Sequence, residues 1–127
     1  MAKYDTLFID GVQTPAATSN RINVVSAATE EVIGSAPEAS TSDVDTAVAA
    51  ARRAFNDPRG WTNWSPQERA KTIEKFAEEL ETRSAQITSL VAQQNGMPIS
   101  TAGILESALP TAVYRYYAGL LVETEQE

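Results

Sequence analysis

The chain of 127 residues contains neither cysteine nor histidine. It therefore offers no thiolate nucleophile, no imidazole base and no zinc site built from the usual ligands. The absence of cysteine also excludes a disulfide framework, which makes the cytoplasm the expected compartment. On residue chemistry alone, we assign no catalytic residue and no metal ligand to this sequence.

Long apolar runs and positive charge are also scarce. The longest apolar runs have only a few residues, far short of the ~20 needed to span a bilayer, and residues 1–5 lack the apolar segment of a secretion signal. Lysine and arginine number 10 against 17 acidic residues, which gives a formal net charge of −7. We therefore expect no membrane partner and, because an acidic chain repels phosphate groups, no nucleic-acid partner.

Glycine is sparse and scattered, which bears on cofactor binding. A phosphate-cradling loop needs several glycines close together before a helix. The six glycines stand instead at positions 11, 34, 60, 96, 103 and 119. We therefore assign no cofactor-binding residue to this sequence.

Residues 1–40 carry the signals of strands and turns, and we predict that they form a β-hairpin region. Residues 6–9 are a short β-prone run, after which Asp10 and Gly11 supply the positive φ angles of a tight hairpin turn. A second antiparallel hairpin is predicted from the run at 22–25, a turn and the pair Val32-Ile33. We expect Gly34 and Pro37 to close that segment.

Residues 41–127 change to a period of 3.6 and predict about four α-helices, so the fold class is α+β. Thr41 or Ser42 is the expected cap of the first helix, with Asp43 at the positive end of its dipole. The apolar residues that recur on one face are predicted to be its buried stripe. They are Val44, Ala47, Val48, Ala51 and Phe55.

The second helix has the clearest start signal. Ser65 is the cap, Pro66 takes the first helical position and Glu68 completes a capping box. Its predicted buried stripe consists of Ala70, Ile73, Ala77 and Leu80.

The third and fourth helices are separated by a second stop signal. Gly96 after Asn95 is expected to take a left-handed C-terminal cap, and Pro98 prevents continuation. Ser100 or Thr101 opens the last helix. Because Pro110 cannot donate to the carbonyl of Glu106, we predict a kink or a break there.

Three clusters invite a functional interpretation, and each also has a plainer one. Glutamates on the second helix resemble metal ligands, but interleaved lysines favour a solvated face. Two tryptophans flank the start of that helix, where pinning a loop to the core is more common than holding a ligand. A tyrosine cluster on the last helix favours core packing over base stacking. The residues are Glu74, Glu78, Glu79 and Glu81; Trp61 and Trp64; and Tyr114, Tyr116 and Tyr117.

The order of local signals resembles the N-terminal segment of the aldehyde dehydrogenase superfamily, from Leu7 to about Leu120. The similarity lies in many short segments at family spacing rather than in one signature. Those segments are 7–11, 28–33, 43–45, 47–55, Trp61, 68–70, Asn95-Gly96-Met97-Pro98 and 115–119.

The resemblance implies a truncated part of an α/β enzyme that oxidises an aldehyde to a carboxylic acid with NAD(P)+. A cysteine attacks the aldehyde, hydride passes to the cofactor, and the thioester is hydrolysed. The cysteine, the glutamate base, the oxyanion-holding asparagine and the cofactor-binding lysine of that family are expected after residue 127. We therefore expect residues 1–40 and 41–127 to form one incomplete part of the cofactor-binding domain, with no catalytic activity of its own.

The last helix carries the two site residues that the resemblance suggests. Its counterpart in the family helps to wall the substrate tunnel, and Leu105 and Leu109 occupy the corresponding positions, although plain core leucines are an equally good interpretation. The expected partner is the remainder of the dehydrogenase chain. For the piece alone, we expect a homo-oligomer through the apolar helical face that also includes Val113, Tyr117 and Leu121.

Two other classes of function stay open. One is a stand-alone helical module that binds a partner protein through its apolar face. The other is the start of a related acyl-phosphate or acyl-thioester reductase, which would have the cysteine without the hydrolytic glutamate. The gene sequence beyond Glu127 discriminates among the three hypotheses.

Overall fold

The structure is a computed structural model that describes the backbone of residues 2–124 and the side chains of residues 4–124. The chain forms two compact units, Met1–Asn63 and Trp64–Glu127. The first contains all the described strands and one α-helix, and the second is helical. The α+β class is thus confirmed. The boundary between the two units lies after Asn63, whereas the hydrophobic period changes after residue 40.

The first unit begins with a two-stranded hairpin. Strands β2 (Leu7–Ile9) and β3 (Val12–Thr14) pair antiparallel across Asp10 and Gly11. Those two residues have φ angles of 56° and 79°. Positive φ at both central positions defines the type I′ turn that matches the twist of the strands. The first predicted hairpin is confirmed.

The first unit also contains a three-stranded sheet, in which β5 (Val32–Pro37) lies between β1 (Ala2–Lys3) and β4 (Arg21–Val25). Strands β4 (Arg21–Val25) and β5 (Val32–Pro37) pair antiparallel, as predicted. The prediction that Gly34 closes the segment is wrong, because Gly34 is a buried residue inside β5 and pairs with Val24. Strand β1 (Ala2–Lys3) lies parallel to β5. It was not predicted, since two residues are too few to show alternation.

Helix α1 (Thr41–Asn56) is capped by Ser40, not by Thr41 or Ser42 as predicted. The Ser40 hydroxyl accepts a hydrogen bond from the Asp43 amide, and the Asp43 carboxylate accepts one from the Ser40 amide. This reciprocal capping box needs an acidic residue three positions after the cap, a relation that Ser40 has to Asp43 and Ser42 has to Asp45. Ser40 is the cap because its backbone is extended (φ −84°, ψ 169°), whereas Ser42 already lies in the helix.

The predicted buried stripe of α1 is wrong. Val44, Val48 and Phe55 are 52%, 61% and 61% exposed, whereas Asp43 and Ala50 are buried. The alanine side of the helix lies instead against the first hairpin, where a shallow cavity of about 320 Å³ separates them. The cavity is lined by residues 8–11 with Ala47, Ala50, Ala51 and Ala54. Of these alanines only Ala50 is buried, and Val44, Val48 and Phe55 do not line the cavity.

The second unit begins with helix α2 (Pro66–Thr82), which has the predicted start. Ser65 caps it, Pro66 lies in the first turn, and Glu68 completes the capping box. The buried stripe is confirmed at its small residues, since Ala70 is 7% exposed and Ala77 is fully buried. Ile73 and Leu80 are only half-buried.

Helix α3 (Ser84–Asn95) ends as predicted at Gly96, whose φ of 73° is left-handed and whose amide donates to the Ala92 carbonyl. Pro98 then caps α4 (Ile99–Ala102). The last helix therefore starts at Ile99 and not at Ser100 or Thr101. Pro98 keeps the residue before it in an extended conformation, so the new helix begins only after the proline.

The last helix runs from Ile99 to Glu123 as α4, a π-helical stretch (Gly103–Ala108) and α5 (Leu109–Glu123). In the π stretch the Leu109 amide donates to the carbonyl of Ile104, five residues back. The predicted break at Pro110 is absent, because the helix continues through the proline to Glu123. The wider turn of the π-helical stretch ends at Ala108, two residues before the proline. Because Pro110 has no amide hydrogen, one backbone hydrogen bond of the helix is missing at this point. The helix therefore tolerates nearby a change from bonds four residues apart to bonds five residues apart.

The interior of the chain consists of small residues. The buried apolar residues among those described are Ile9, Ala50, Ala70, Ala77, Ala102 and Ala118, and no large side chain in that part of the chain is fully buried. Among the described residues, no helix is both long and apolar enough to cross a bilayer.

Candidate functional site

The most distinctive surface of the second unit is an apolar strip on the last helix. We define this outer face by Leu105, Leu109, Val113, Tyr116 and Tyr117, which are 45%, 50%, 43%, 65% and 58% exposed. The two nominated leucines therefore lie together on an accessible surface of this chain. The prediction that the tyrosine cluster packs in the core is wrong.

The opposite side of the same helix explains why these residues point outward. Ala102, Ser107, Thr111 and Ala118 are its buried residues, and α5 packs on α2. The Thr111 hydroxyl donates to the Ser107 carbonyl at 3.0 Å, so this hydroxyl does not need a partner from another helix. Small side chains are the buried part of this contact, and the rings of Phe76 on α2 and Tyr114 on α5 meet edge-on at 4.9 Å at its side.

Arg115 fixes α5 to α2 through two glutamates. Its guanidinium donates to the Glu81 carboxylate at 2.6 Å and lies 3.8 Å from the Glu74 carboxylate. The hydrogen bond and charge of Arg115 lower the pKa of Glu81, and Glu81 in turn raises the pKa of Arg115. Three of the four glutamates on α2 thus pair with an arginine of the chain, Glu74 and Glu81 with Arg115 and Glu79 with Arg83. Their side chains stay largely exposed, in agreement with the predicted solvated face.

This contact was missed because Glu81 and Arg115 stand 34 positions apart in the sequence, beyond the reach of any helical periodicity.

A cleft of about 530 Å³ lies beside Glu81 and Arg115. Hydroxyl and charged groups line it together with small apolar ones: Glu81, Ser84, Ser107, Ala108, Thr111, Ala112, Arg115 and Tyr116. The cleft is open and mixed in character, and it adjoins the outer face at Tyr116, which belongs to both.

In the first unit, the Asp43 carboxylate joins two segments. It accepts hydrogen bonds from the Ser40 amide and hydroxyl, both at 2.8 Å, and from the Ala17 amide at 3.2 Å. These bonds, led by that of the Ser40 amide, lower the pKa of Asp43. The helix start therefore holds the loop that follows β3. Sequence reasoning found the charge at the helix start but not its bond to Ala17.

The two tryptophans are both partly exposed. Trp61 lies in a 3₁₀ turn (Trp61–Asn63) of the first unit and is 42% exposed. Trp64 in the second unit is 38% exposed and lies beside a shallow cleft of about 210 Å³ with Glu68, Lys71 and Thr72. Neither tryptophan is enclosed by a core.

A segment of strands and helices with an alanine interior and an uncovered apolar helix face has the character of one part of a larger α/β protein. Comparisons with known proteins agree with this. The model of the aldehyde dehydrogenase family matches residues 14–127. The chain therefore belongs to the aldehyde dehydrogenase family, and the predicted resemblance to its N-terminal segment is confirmed.

Individual relatives show the same partial coverage. The chain is 40% identical over 122 residues to geranial dehydrogenase of Castellaniella defragrans, covering 94% of this chain and 25% of that protein. It is 38% identical over 113 residues to an aldehyde dehydrogenase of Alternaria alternata, covering 89% of this chain and 22% of that one. The chain thus spans about a quarter of the length of the curated relatives it matches.

Solved structures give the same result for the fold. The Mycobacterium tuberculosis aldehyde dehydrogenase complexed with NAD+ is 36% identical with a TM-score of 0.88, over 95% of this chain and 25% of that one. The NAD-dependent aldehyde dehydrogenase of Sinorhizobium meliloti is 34% identical with a TM-score of 0.85, over 93% of this chain and 23% of that one. The strand and helix arrangement is that of the corresponding part of these enzymes.

Proposed function

We propose that the chain is the N-terminal part of an NAD(P)-dependent enzyme that oxidises an aldehyde to a carboxylic acid in the cytoplasm. The observation that carries this proposal is the family match over residues 14–127. The similarity to geranial dehydrogenase supports an aldehyde as substrate. The similarity to a dehydrogenase complexed with NAD+ supports a nicotinamide cofactor.

We propose further that these 127 residues do not catalyse the reaction by themselves. A carbonyl carbon is attacked by an activated nucleophile such as a thiolate, and the sequence contains no cysteine. Its scattered glycines do not fit a nucleotide pyrophosphate either, since the backbone amides of a phosphate loop must converge. The nucleophile and the cofactor site belong, in this proposal, to the remainder of the dehydrogenase chain.

Leu105 and Leu109 contribute, in this proposal, to the wall of the substrate tunnel of the longer enzyme. Both are about half exposed within this chain and so remain available to a bound molecule. They lie in and next to the π-helical stretch, an irregularity that is frequent at functional sites. Their hydrocarbon surface favours an uncharged, apolar aldehyde, because a charged group would lose its hydration there without gaining a partner.

The first test measures reduction of NAD+ and NADP+ with a panel of apolar aldehydes, for the 127-residue chain and for the longer polypeptide that carries it. We expect turnover by the longer polypeptide only, with the carboxylic acid as product. Turnover by the 127-residue chain would contradict the proposed inertness. Failure of the longer polypeptide to form acid, while it reduces an acyl phosphate or acyl thioester, would identify a reductase instead.

The second test narrows the proposed tunnel. In the longer polypeptide, Leu109→Trp is expected to lower kcat/KM for long-chain aldehydes by about tenfold or more while changing that for acetaldehyde little, because only the long substrate meets the added ring. Val44→Trp, at an exposed position of α1, is the matched control. Equal loss for long and short aldehydes would argue against a role of Leu109 in the tunnel.

A further inference from the structure

The end of α3 carries a dipeptide with covalent chemistry of its own, Asn95-Gly96. The side-chain amide of an asparagine is open to attack by the backbone nitrogen of the next residue, and asparagine is accordingly a heat-labile residue. A following glycine favours the attack, because it has no Cβ to hinder the approach. Of the five asparagines in the sequence, only Asn95 precedes a glycine. The others, at positions 20, 23, 56 and 63, precede larger residues.

The reaction at such a dipeptide proceeds in two steps. First, the Gly96 nitrogen loses its proton and bonds to Cγ of Asn95, the bond from Cγ to the side-chain nitrogen breaks, and ammonia leaves a succinimide ring behind. Water then opens the ring at one of its two carbonyl groups. Opening at Cγ gives aspartate, and opening at the backbone carbonyl gives isoaspartate, in which the main chain runs through the side-chain methylene. Water is the only reagent that these steps consume.

The fold engages the attacking nitrogen. The Gly96 amide donates to the Ala92 carbonyl at 3.0 Å, and this bond closes the last turn of α3. An amide in this bond keeps its proton and points along the helix to the carbonyl, whereas the attack requires the proton to leave and the nitrogen to face Cγ. The last turn of α3 therefore has to open before Asn95 reacts.

The side chain that would be attacked is already held close to the main chain. Oδ1 of Asn95 accepts a hydrogen bond from the Met97 amide at 2.8 Å. A donor at this oxygen stabilises the negative charge that collects there during an attack on Cγ, as the donors of an oxyanion hole do. The bond joins residues only two apart, so it does not require the last helical turn. Opening of the Gly96–Ala92 bond is thus the step that limits the reaction.

We infer that Asn95 is a site of spontaneous deamidation and that opening of the last turn of α3 controls its rate. Helix ends open locally at a much smaller cost in free energy than the unfolding of a whole domain. Isoaspartate adds one carbon atom to the main chain between residues 95 and 96, which displaces Gly96 from Ala92. The modified turn therefore no longer closes. The inference is independent of the enzymatic proposal, since neither a substrate nor a cofactor takes part.

The first experiment measures how strongly the fold slows the reaction. The longer polypeptide that carries these residues and a synthetic peptide of residues 91–99 are incubated in the same neutral buffer, and mass spectrometry of the digested samples follows conversion of Asn95. The peptide is too short to form a stable helix. We expect it to react about tenfold faster or more, because its last turn is always open. Equal rates in the peptide and in the folded polypeptide would overturn the inference.

The second experiment tests whether the last turn of α3 is the controlling element. Ala92→Gly weakens that turn and is expected to speed deamidation of the folded polypeptide about fivefold, with no change in the peptide. Ala85→Gly, in the first turn of the same helix, is the matched control and should leave the rate unchanged. No acceleration by Ala92→Gly, or equal acceleration by both variants, would contradict control by the last turn. Circular dichroism confirms that both variants keep their helices.

Discussion

At the scale of single residues, Asp43 links the start of a helix to a distant loop. Its carboxylate accepts from the Ser40 amide and from the Ala17 amide, which lies 26 positions earlier. All of these bonds favour the ionised form, and the pKa is lowered accordingly. A lowered folded-state pKa means that Asp43 stabilises the fold above its ordinary value of 3.8 and that this contribution disappears as the pH falls through the folded-state pKa.

Replacement of Asp43 by asparagine is therefore expected to lower stability at neutral pH and to make little difference well below pH 3.8. The amide has no charge and presents a donor group to amides that need an acceptor. The measurement is thermal unfolding by circular dichroism at a fixed protein concentration at both pH values. Asp45→Asn, two residues along the same helix and exposed, should show a much smaller change. Equal effects of the two variants would contradict this account of Asp43.

At the scale of secondary-structure elements, two glycines of the second unit have opposite roles. Gly96 ends α3 with a φ of 73°, a conformation that side chains disfavour. Gly119 lies inside α5, and a Cβ added to it would meet no atom within 4 Å. The same substitution should therefore change stability in opposite directions at the two positions.

We expect Gly96→Ala to destabilise the chain by about 1–2 kcal/mol, the cost of a left-handed L-residue. Gly119→Ala is expected to stabilise it by about 0.5–1 kcal/mol, since alanine loses less backbone entropy in a helix. Both are read from denaturant unfolding at one protein concentration. A loss of stability in Gly119→Ala would contradict the open surroundings of this position.

The elements show which sequence signals carry structural information and which do not. One turn, one helix start and one helix end were predicted correctly, because each is determined by local hydrogen bonds or by a positive φ angle. They are the turn at Asp10-Gly11, the start at Ser65 with Glu68, and the end at Gly96. The stripe of Val44, Val48 and Phe55 was misinterpreted because the side of a helix that is buried depends on what packs against it. Periodicity predicts that one face of a helix is apolar, but it does not show which segment, if any, of the same chain packs against that face.

The candidate site shows the same limit. Leu105 and Leu109 were nominated by resemblance, and the structure adds that they are accessible and lie by a π-helical stretch. The sequence predicted a kink or a break at Pro110 and not the π-helical stretch itself. The Arg115–Glu81 contact was not foreseen, because a pair that spans two helices leaves no trace in local sequence.

At the scale of the whole molecule, the interior is built from methyl groups. Five of the six buried apolar residues that the structure describes are alanines. Such an interior lets helices approach closely, but it removes little apolar surface from water and so contributes little to the free energy of folding.

Enlarging the interior should be costly. Ala77 is fully buried on α2, so Ala77→Leu is expected to destabilise the second unit by about 1–3 kcal/mol through overpacking. Ala85→Leu, at an exposed position of α3, should change stability by no more than about 0.5 kcal/mol. Urea midpoints of the two variants provide the comparison. An Ala77→Leu chain as stable as the original would show that the α2 contact is loose.

A methyl-group interior also determines which mutational survey is informative for this chain. Truncating side chains to alanine one at a time, the common way to locate a hydrophobic centre, leaves Ala50, Ala70, Ala77, Ala102 and Ala118 exactly as they are. Such a scan would find few positions at which truncation lowers stability. It would detect mainly the exposed side chains that contribute to binding. Libraries that replace small residues with bulky ones would locate the helix contacts that truncation misses.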